Sequence, residues 1–400
     1  MYCIRNITDD IVYVGVNDNR TRLFENIHHL RGGVSYNSYV IRDEQNVLVD
    51  TCDRSVASEF LDNIAGALCG GKLDAIIVNH AEPDHASTLG EVLLKYPEAK
   101  VYCTAKAIMM LTQFGIDVAE RATAVGEGDT VSFGKHEVEF HTAPMVHWPE
   151  VMVSFDKTDG VLFSADAFGS FGALNGKVFE DEFDFDHDIL DEMRRYYCNI
   201  VGKYGPQVQM LLKKLGGLSI RMIAPLHGPV WRSNIETLIV YYDKWSRYEP
   251  EKKGVMIAFA SMYGDTENAA QIFASKLCQA GITDYVMCDV SKTDLSELIA
   301  YSFKYSTLAL FSVTYNLKVF PLMAQYLEDM AALGLQKRSA VVFENGTWAP
   351  QAGGLIVKAL EEMKSMTVLG DVSTVLSSVS SGNVEQIDAA VKAVVDEIGE

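Results

Sequence analysis

Residues 74–85 read DAIIVNHAEPDH, and the fold of the first half of the chain turns on them. The apolar run at 75–78 is short and rich in β-branched residues, as a buried strand is. It runs straight into His80, Glu82, Asp84 and His85. Pro83 keeps the chain from simply continuing as strand or helix. Four side chains able to bind a metal, within six residues at the end of a strand, make a loop that can wrap an ion.

Three further positions repeat that grammar. His147 lies in APMVHWP (143–149), between two prolines and just ahead of the apolar run 151–155. Asp166 follows the strand pattern VLFSA, and His227 follows IRMIAPL. Each alone is weak, since a single His near a Trp is commonly a core or surface residue. Four segments that each bring a His or an acid to the end of an apolar strand, where loops converge, are hard to ascribe to coincidence.

The series H-x-[EH]-x-D-H, then His, Asp and His, resembles the metallo-β-lactamase fold. The usual hydrolase version is H-x-H-x-D-H and binds zinc, whereas here Glu82 replaces the middle His. The set then holds four imidazoles (His80, His85, His147, His227) and three carboxylates (Glu82, Asp84, Asp166). Such ligands suit iron better than zinc, and seven exceed what one tetrahedral ion can use, so a carboxylate-bridged pair is expected. The H-x-E-x-D-H variant joined to a flavodoxin-like half resembles the flavodiiron proteins over essentially the whole chain. That resemblance implies one iron on His80, Glu82 and His147, a second on Asp84, His85 and His227, and Asp166 bridging them. It also implies that Tyr196 or Tyr197, in DEMRRYYCNI, lies near the metals, where one phenol could donate a proton or hydrogen bond; core packing is the alternative role for both. His28, His29, His136, His141 and His187 are read as structural or surface residues.

The composition breaks at 245–254, WSRYEPEKKG, which is dense in charge and carries a Pro and a closing Gly. The boundary is placed there, giving domains 1–250 and 251–400. Beyond it apolar strands are expected at 255–261, 284–290, 307–313, 340–344 and 366–370, alternating with helical patterns such as 267–280, 321–333 and 383–398. Strand and helix alternating in this way means βαβ crossovers and a doubly wound parallel sheet of flavodoxin size. The expected fold class is α/β throughout: an N-terminal metallo-β-lactamase-like αββα sandwich and a C-terminal flavodoxin-like doubly wound sheet.

The first strand of that second domain ends in SMYGDTEN (261–268), just ahead of a helix. Ser261, Met262, Tyr263, Gly264, Asp265 and Thr266 can close around a phosphate through backbone N–H groups and the helix N-terminus, without a Lys or Arg. No G-x-G-x-x-G or Walker lysine is present, so dinucleotide and nucleoside-triphosphate sites are poorly supported. Ligands of a doubly wound sheet sit beyond the carboxyl ends of its strands. The loops at 312–321 and 344–354 therefore complete an FMN site, with Thr314, Tyr315 and Asn316 at the ring edge and Asn345, Gly346, Thr347 and Trp348 beside its face. The phosphate loop departs from the family in Asp265, where Ser or Asn is usual, the second loop in Val313, where Pro is usual, and the third in reading ENGTWAP, which is less Gly-rich than the family version.

Lys and Arg number 34 against 54 Asp and Glu, a formal charge of −20 over 400 residues. That balance repels nucleic acid and anionic membranes. No apolar run reaches bilayer length and the N-terminus lacks a signal-like stretch, so a cytoplasmic location is expected. The seven cysteines include no C-x-x-C, which excludes a fused rubredoxin or zinc ribbon and favours mostly buried free thiols.

The resemblance implies an oxidoreductase that reduces O2 to water, NO to nitrous oxide, or both, at two irons fed through FMN. It implies a separate small redox donor such as rubredoxin, with F420H2 as another possibility, and a head-to-tail homodimer or a homotetramer. Two other readings fit the sequence: a zinc-dependent hydrolase with a flavodoxin-like appendage, and a non-catalytic electron-transfer module.

Overall fold

The computed structural model describes residues 3–399. The chain divides into two compact units: residues up to Tyr197 with Pro206–Asp243, and Cys198–Gly205 with the residues from Lys244 onward. The division falls inside the helix Ile235–Ser246. Much of the charged stretch at 245–254 is not a loose linker, because its two lysines already begin the strand Lys252–Ala260. Among the described residues no helix is long and apolar enough to cross a membrane.

The first unit is built on two sheets. One runs, in spatial order, Arg5–Asn6, Ile11–Tyr13, Tyr39–Ile41, Val47–Val49, Ala75–Ile77, Lys100–Cys103 and Ala122–Ala124; the other runs Thr130–Ser132, Glu137–Thr142, Met152–Asp156, Val161–Phe163 and Met222–Ala224. Alternate residues of the two sheets meet in one core. Tyr39, Ile41, Val47, Val49, Ala75 and Ile77 come from the first, and Val138, Phe140, Met152, Val161, Phe163 and Ala224 from the second. The intervening Val40, Leu48 and Ile76 are buried too, on the opposite face, which a helix such as Ala57–Leu68 covers with Phe60, Ile64 and Ala67. Burial on both faces is why these strands read as unbroken apolar runs instead of alternating ones.

Register brings the strand ends level. Ile77 pairs with Val49 on one side and Tyr102 on the other, and Phe163 pairs with Ala224. His80, Asp166 and His227 are each the third residue beyond the last residue of their strand. The turns that follow are tight, with Asp50, Met145, Ala165 and Phe168 all at positive φ. Left-handed backbone at a residue with a side chain costs roughly 1–2 kcal/mol, and such outliers gather where a fold holds functional groups in place.

The second unit is a single parallel sheet. Numbering its strands along the chain as Lys252–Ala260, Tyr285–Asp289, Tyr305–Tyr315, Arg338–Asn345 and a last strand in two pieces, the spatial order is 2-1-3-4-5. Phe311 and Phe343 stack at 4.1 Å between centroids, with Phe273 of the helix Asp265–Gln279 edge-on to both. Two details differ from expectation. The third strand continues to Tyr315, turns through Asn316 (φ 49) and Leu317 (φ 58), and pairs back as Lys318–Val319, so part of the expected loop is a hairpin with both turn residues left-handed. The last strand, expected over 366–370, stops at Val368 and resumes as Ser373–Val375 beyond Gly370 (φ 69).

Arg338, buried at the foot of the fourth strand, closes the lower end of this unit. Its guanidinium donates to the carbonyls of Ser302, Phe303, Tyr248, Gln336 and Lys337 at 2.6–3.1 Å. Burial pulls it down to about 10, yet five carbonyl partners, two from the last turn of the helix Leu295–Lys304, hold the charge. Replacing Arg338 by Leu leaves those oxygens unpaired, and the expected loss is about 3 kcal/mol or more of stability. Urea unfolding checks this, and a change under about 1 kcal/mol contradicts it.

Candidate metal centre

The four strand-end segments deliver all seven expected side chains to one place. Ligand-type atoms of His80, Glu82, His147 and Asp166 lie within 4.8 Å of one another, as do those of Asp84, His85 and His227. In the first group His147 Nε2 is 3.0 Å from Asp166 Oδ2 and 3.1 Å from Glu82 Oε2. His80 Nε2 is 3.1 Å from Glu82 Oε2 and 3.5 Å from Asp166 Oδ2. In the second group His85 Nε2 lies 3.0 Å from His227 Nε2, and Asp84 Oδ2 lies 3.3 and 3.2 Å from these two nitrogens. Asp166 joins the groups. Its Oδ2 faces the first, while its Oδ1 is 3.1 Å from His85 Nε2 and 3.8 Å from His227 Nε2.

The donor set fits a pair of cations. Asp84 Oδ1, His85 Nδ1 and Asp166 Oδ1 are buried without a hydrogen-bond partner; Asp166 Oδ1 approaches His85 at 3.1 Å without hydrogen-bond alignment. Two imidazole Nε2 atoms converging at 3.0 Å are poor partners for each other but natural co-ligands. His227 is turned that way because its Nδ1 bonds the Ser35 carbonyl at 2.7 Å. His80 is turned by Glu150, whose Oε1 lies 2.7 Å from its Nδ1.

Electrostatics leads to the same place. Burial disfavours the His80 cation, but Glu150, Glu82 and Asp166 outweigh it and hold the imidazole well above its ordinary range. Burial likewise opposes the Asp166 anion, yet His85, His147 and His80 drive its carboxyl well below the carboxylate range. His147, against burial, is pushed up to about 9 by Asp166 and Glu82. Each group demands opposite charge at its tip, and a divalent cation supplies it to the carboxylates while the imidazoles stay neutral.

Three residues of this neighbourhood escaped the sequence reading besides Glu150. Asp50 accepts from Asn79 N (2.7 Å), Asn79 Nδ2 (2.8 Å) and His80 N (3.3 Å) and so pins the start of the ligand loop. Burial raises its carboxyl to about 6 despite those bonds. It follows the strand Val47–Val49, and the grammar that singled out Asp166 applies to it equally. Ser35 acts through its carbonyl, which no side-chain pattern reveals. Glu25, on the turn between Leu23–Phe24 and His28–His29, directs its carboxyl at Glu82 and is raised to about 7 by burial and that neighbour; no motif marks it.

Aromatic rings wall the cluster. Phe24 meets His227 edge-on at 5.1 Å and also packs on Phe171 and Tyr196, while Trp148 meets His80 at 5.4 Å. Tyr196 is fully buried 5.7 Å from the His227 ring, with its hydroxyl unpaired. Tyr197 packs instead on Tyr242 at 5.0 Å. Of the histidines set aside, His136 sits between Asp156 (3.0 Å) and Asp10 (3.4 Å) and His141 beside Glu127. His28 and His29 form a short strand, and His187 is exposed.

In the second unit the loops named for a flavin lie at the carboxyl ends of the first, third and fourth strands, about the point where the strand order reverses. Ser261 Oγ accepts from Gly264 N at 3.1 Å, and Gly264 (φ 98) begins the helix Asp265–Gln279 with nothing within 4 Å of where a Cβ would stand. The first N–H groups of a helix lack partners within it, so this cradle suits a phosphate. Asp265 points aside and accepts from Ser378 Oγ at 2.7 Å, while Thr266 is buried. Tyr263 and Trp348 are 90% and 78% exposed, and Met262 and Tyr315 are also open to solvent, an arrangement that can flank a planar ring. Thr314 Oγ1 accepts from Gln351 N and Ala352 N, Asn345 brackets Ser377 through both ends of its amide, and Thr347 accepts from Ser377 Oγ. Gly346 N bonds Val375 O, and Asn316 sits in the hairpin turn. These last side chains chiefly shape the loops.

The chain matches the family described as ODP family beta lactamase over residues 34–228. It is 32% identical to an anaerobic nitric oxide reductase flavorubredoxin of Citrobacter koseri over 349 residues, 86% of this chain and 72% of the relative. Among solved structures it is similar to rubredoxin oxygen:oxidoreductase from Desulfovibrio gigas, with a TM-score of 0.93 and 25% identity over 99% of this chain and 98% of the other. A flavodiiron protein from Giardia intestinalis gives a TM-score of 0.90 and 26% identity over the same shares.

Two outcomes are expected of this centre. Metal displaces protons from imidazoles such as His147, His80 and His85, all raised above the ordinary imidazole range, so the affinity of metal-free protein for a divalent ion should rise with pH through neutrality to at least about 9; titration calorimetry at several pH values measures this, and a pH-independent affinity contradicts it. Gly228, beside His227, has φ 77, and a Cβ there would lie 2.3 Å from Ser170 Oγ. Gly228→Ala should therefore displace His227 and weaken metal retention on that side by about tenfold or more, read as metal content after dialysis.

Proposed function

This chain belongs to the flavodiiron family, and from that premise we propose that it is an oxidoreductase reducing O2 to water, NO to nitrous oxide, or both, at a non-haem diiron centre. The observation that carries the reading is the split of Asp166, with one oxygen on each of two histidine–carboxylate groups. When bound, two irons would supply paired electrons and adjacent open positions for the substrate, and FMN would supply one-electron chemistry.

The chain's own residues do the rest. His80, Glu82 and His147 would hold one ion and Asp84, His85 and His227 the other, with Asp166 shared between them. Glu150 and the Ser35 carbonyl fix the orientation of His80 and His227. Phe24, Phe171 and Trp148 keep bulk water from the ligands. The Tyr196 hydroxyl, buried and unpaired within reach of that wall, is a candidate hydrogen-bond or proton donor to a reduced substrate. In residues 251–400 the turn at 261–266 would hold the FMN phosphate, with Trp348 and Tyr263 against the ring and Thr314, Tyr315, Asn316, Asn345, Gly346 and Thr347 shaping its pocket. Residues 1–250 form the diiron domain in the same reading.

The finer assignments belong to the same proposal. The donor is a small redox protein of the rubredoxin type, as the name of the rubredoxin oxygen:oxidoreductase from Desulfovibrio gigas has it for that protein; F420H2 is the alternative donor. The assembly is a head-to-tail homodimer or a homotetramer, and the location is the cytoplasm.

Stopped-flow mixing tests the function. Protein reduced without oxygen should show its flavin reoxidise within seconds of meeting O2 or NO, and Asp166→Ala, expected to lose both irons, should slow this by at least about a hundredfold. Equal rates in the two proteins would contradict a diiron reaction. Trp348→Ala should weaken FMN retention by an amount on the order of 1 kcal/mol, read by fluorescence of released flavin.

A further inference from the structure

The two metal positions differ in what stands behind their histidines. At the first, His80 has Nε2 toward the ligand group and Nδ1 2.7 Å from Glu150 Oε1, with both side chains fully buried. That same oxygen accepts from Ala81 N at 3.0 Å, and the Glu150 carbonyl accepts from Thr104 Oγ1 at 3.0 Å, so the residue is held at both its carboxylate and its main chain. Its second oxygen, Oε2, is buried without a hydrogen-bond partner, which concentrates the anion's interaction on His80 and Ala81. At the second position the His227 Nδ1 has only the neutral carbonyl of Ser35, at 2.7 Å, and His85 Nδ1 has no hydrogen-bond partner.

A hydrogen bond to an ionised acceptor is about twice as strong as one to a neutral acceptor. It draws the Nδ1 proton away and enriches Nε2, which makes the imidazole a stronger donor to a cation. A buried charge behind the ring also acts on the ion directly, in a medium that screens it weakly. Each position has one carboxylate of its own, Glu82 or Asp84, and a share of Asp166; Glu25 faces Glu82 at the first, but the charge that stands directly behind a ligand imidazole there is Glu150.

We propose that Glu150 is a positioning residue that makes the pair unequal: the ion held by His80, Glu82 and His147 binds first, stays longest and is biased toward its ferric state. The inference rests on the diiron reading above. Glu150 touches no ion itself and acts through His80.

Glu150→Gln keeps the size of the side chain and an oxygen to accept from His80 while removing the charge. A chelator should then extract one of the two irons per subunit about 10–100-fold faster, with the other unchanged. One of the two one-electron iron potentials should become more positive and the other stay nearly constant; a tenfold change in ferric-over-ferrous preference corresponds to about 59 mV. Unchanged kinetics and potentials, or equal shifts in both irons, would overturn the proposal. If the variant does not fold, the unaltered protein still decides: metal-free chain given one ferrous ion per subunit should show anomalous scattering at the His80–Glu82–His147 position. Density at the Asp84–His85–His227 position, or equal density at both, would overturn the asymmetry. Iron at neither position would instead overturn the diiron reading.

Discussion

Three carboxylates and four imidazoles crowded into a buried space repel or compete with one another unless positive charge lies among them. Everything near the strand ends of the first unit is arranged around that constraint. Burial alone would keep the carboxyls protonated and the imidazoles neutral, yet Asp166 is held far below the ordinary carboxylate range and His80 far above the ordinary imidazole range. Two divalent cations would resolve the conflict, one in each of the two groups that Asp166 joins. The left-handed residues at Asp50, Met145, Ala165 and Phe168 show what the backbone tolerates to bring those groups together, and the two-sheet core beneath supplies the rigidity.

The second unit solves a different charge problem. A chain of formal charge −20 would repel a phosphate, and the turn at 261–266 offers no basic side chain. Backbone N–H groups at the start of the helix Asp265–Gln279 can accept the anion instead. Asp265, whose charge would oppose it, is turned toward Ser378. The sheet order 2-1-3-4-5 places the three loops at its switch point, and the exposed rings of Tyr263 and Trp348 are then surfaces for a ligand.

The parts legible from sequence were those with a local signature. The strand at 75–77 and the H-x-E-x-D-H that follows announce themselves within a dozen residues, and His147, Asp166 and His227 repeat one grammar. The parallel sheet was legible because its three central strands are buried on both faces. Glu150 was not, although it lies three residues beyond His147, because its value comes from a partner 70 positions earlier in the chain. Ser35 works through a backbone carbonyl and Glu25 through the approach of a hairpin, and neither leaves a pattern. The turn at Asn316 and Leu317 leaves no sequence signature, since a Leu at positive φ defies local propensity, and apolar residues that continue through Leu369 hide the interruption of the last strand.

A buried pair of histidine–carboxylate groups and an anion-binding turn imply a chain that carries two irons and one flavin. Iron, zinc and FMN per subunit, measured in protein purified without oxygen, test it most directly. The account predicts two irons, one FMN and little zinc. Zinc in place of iron, with poor flavin retention, would contradict it and favour a hydrolase built on the same sandwich.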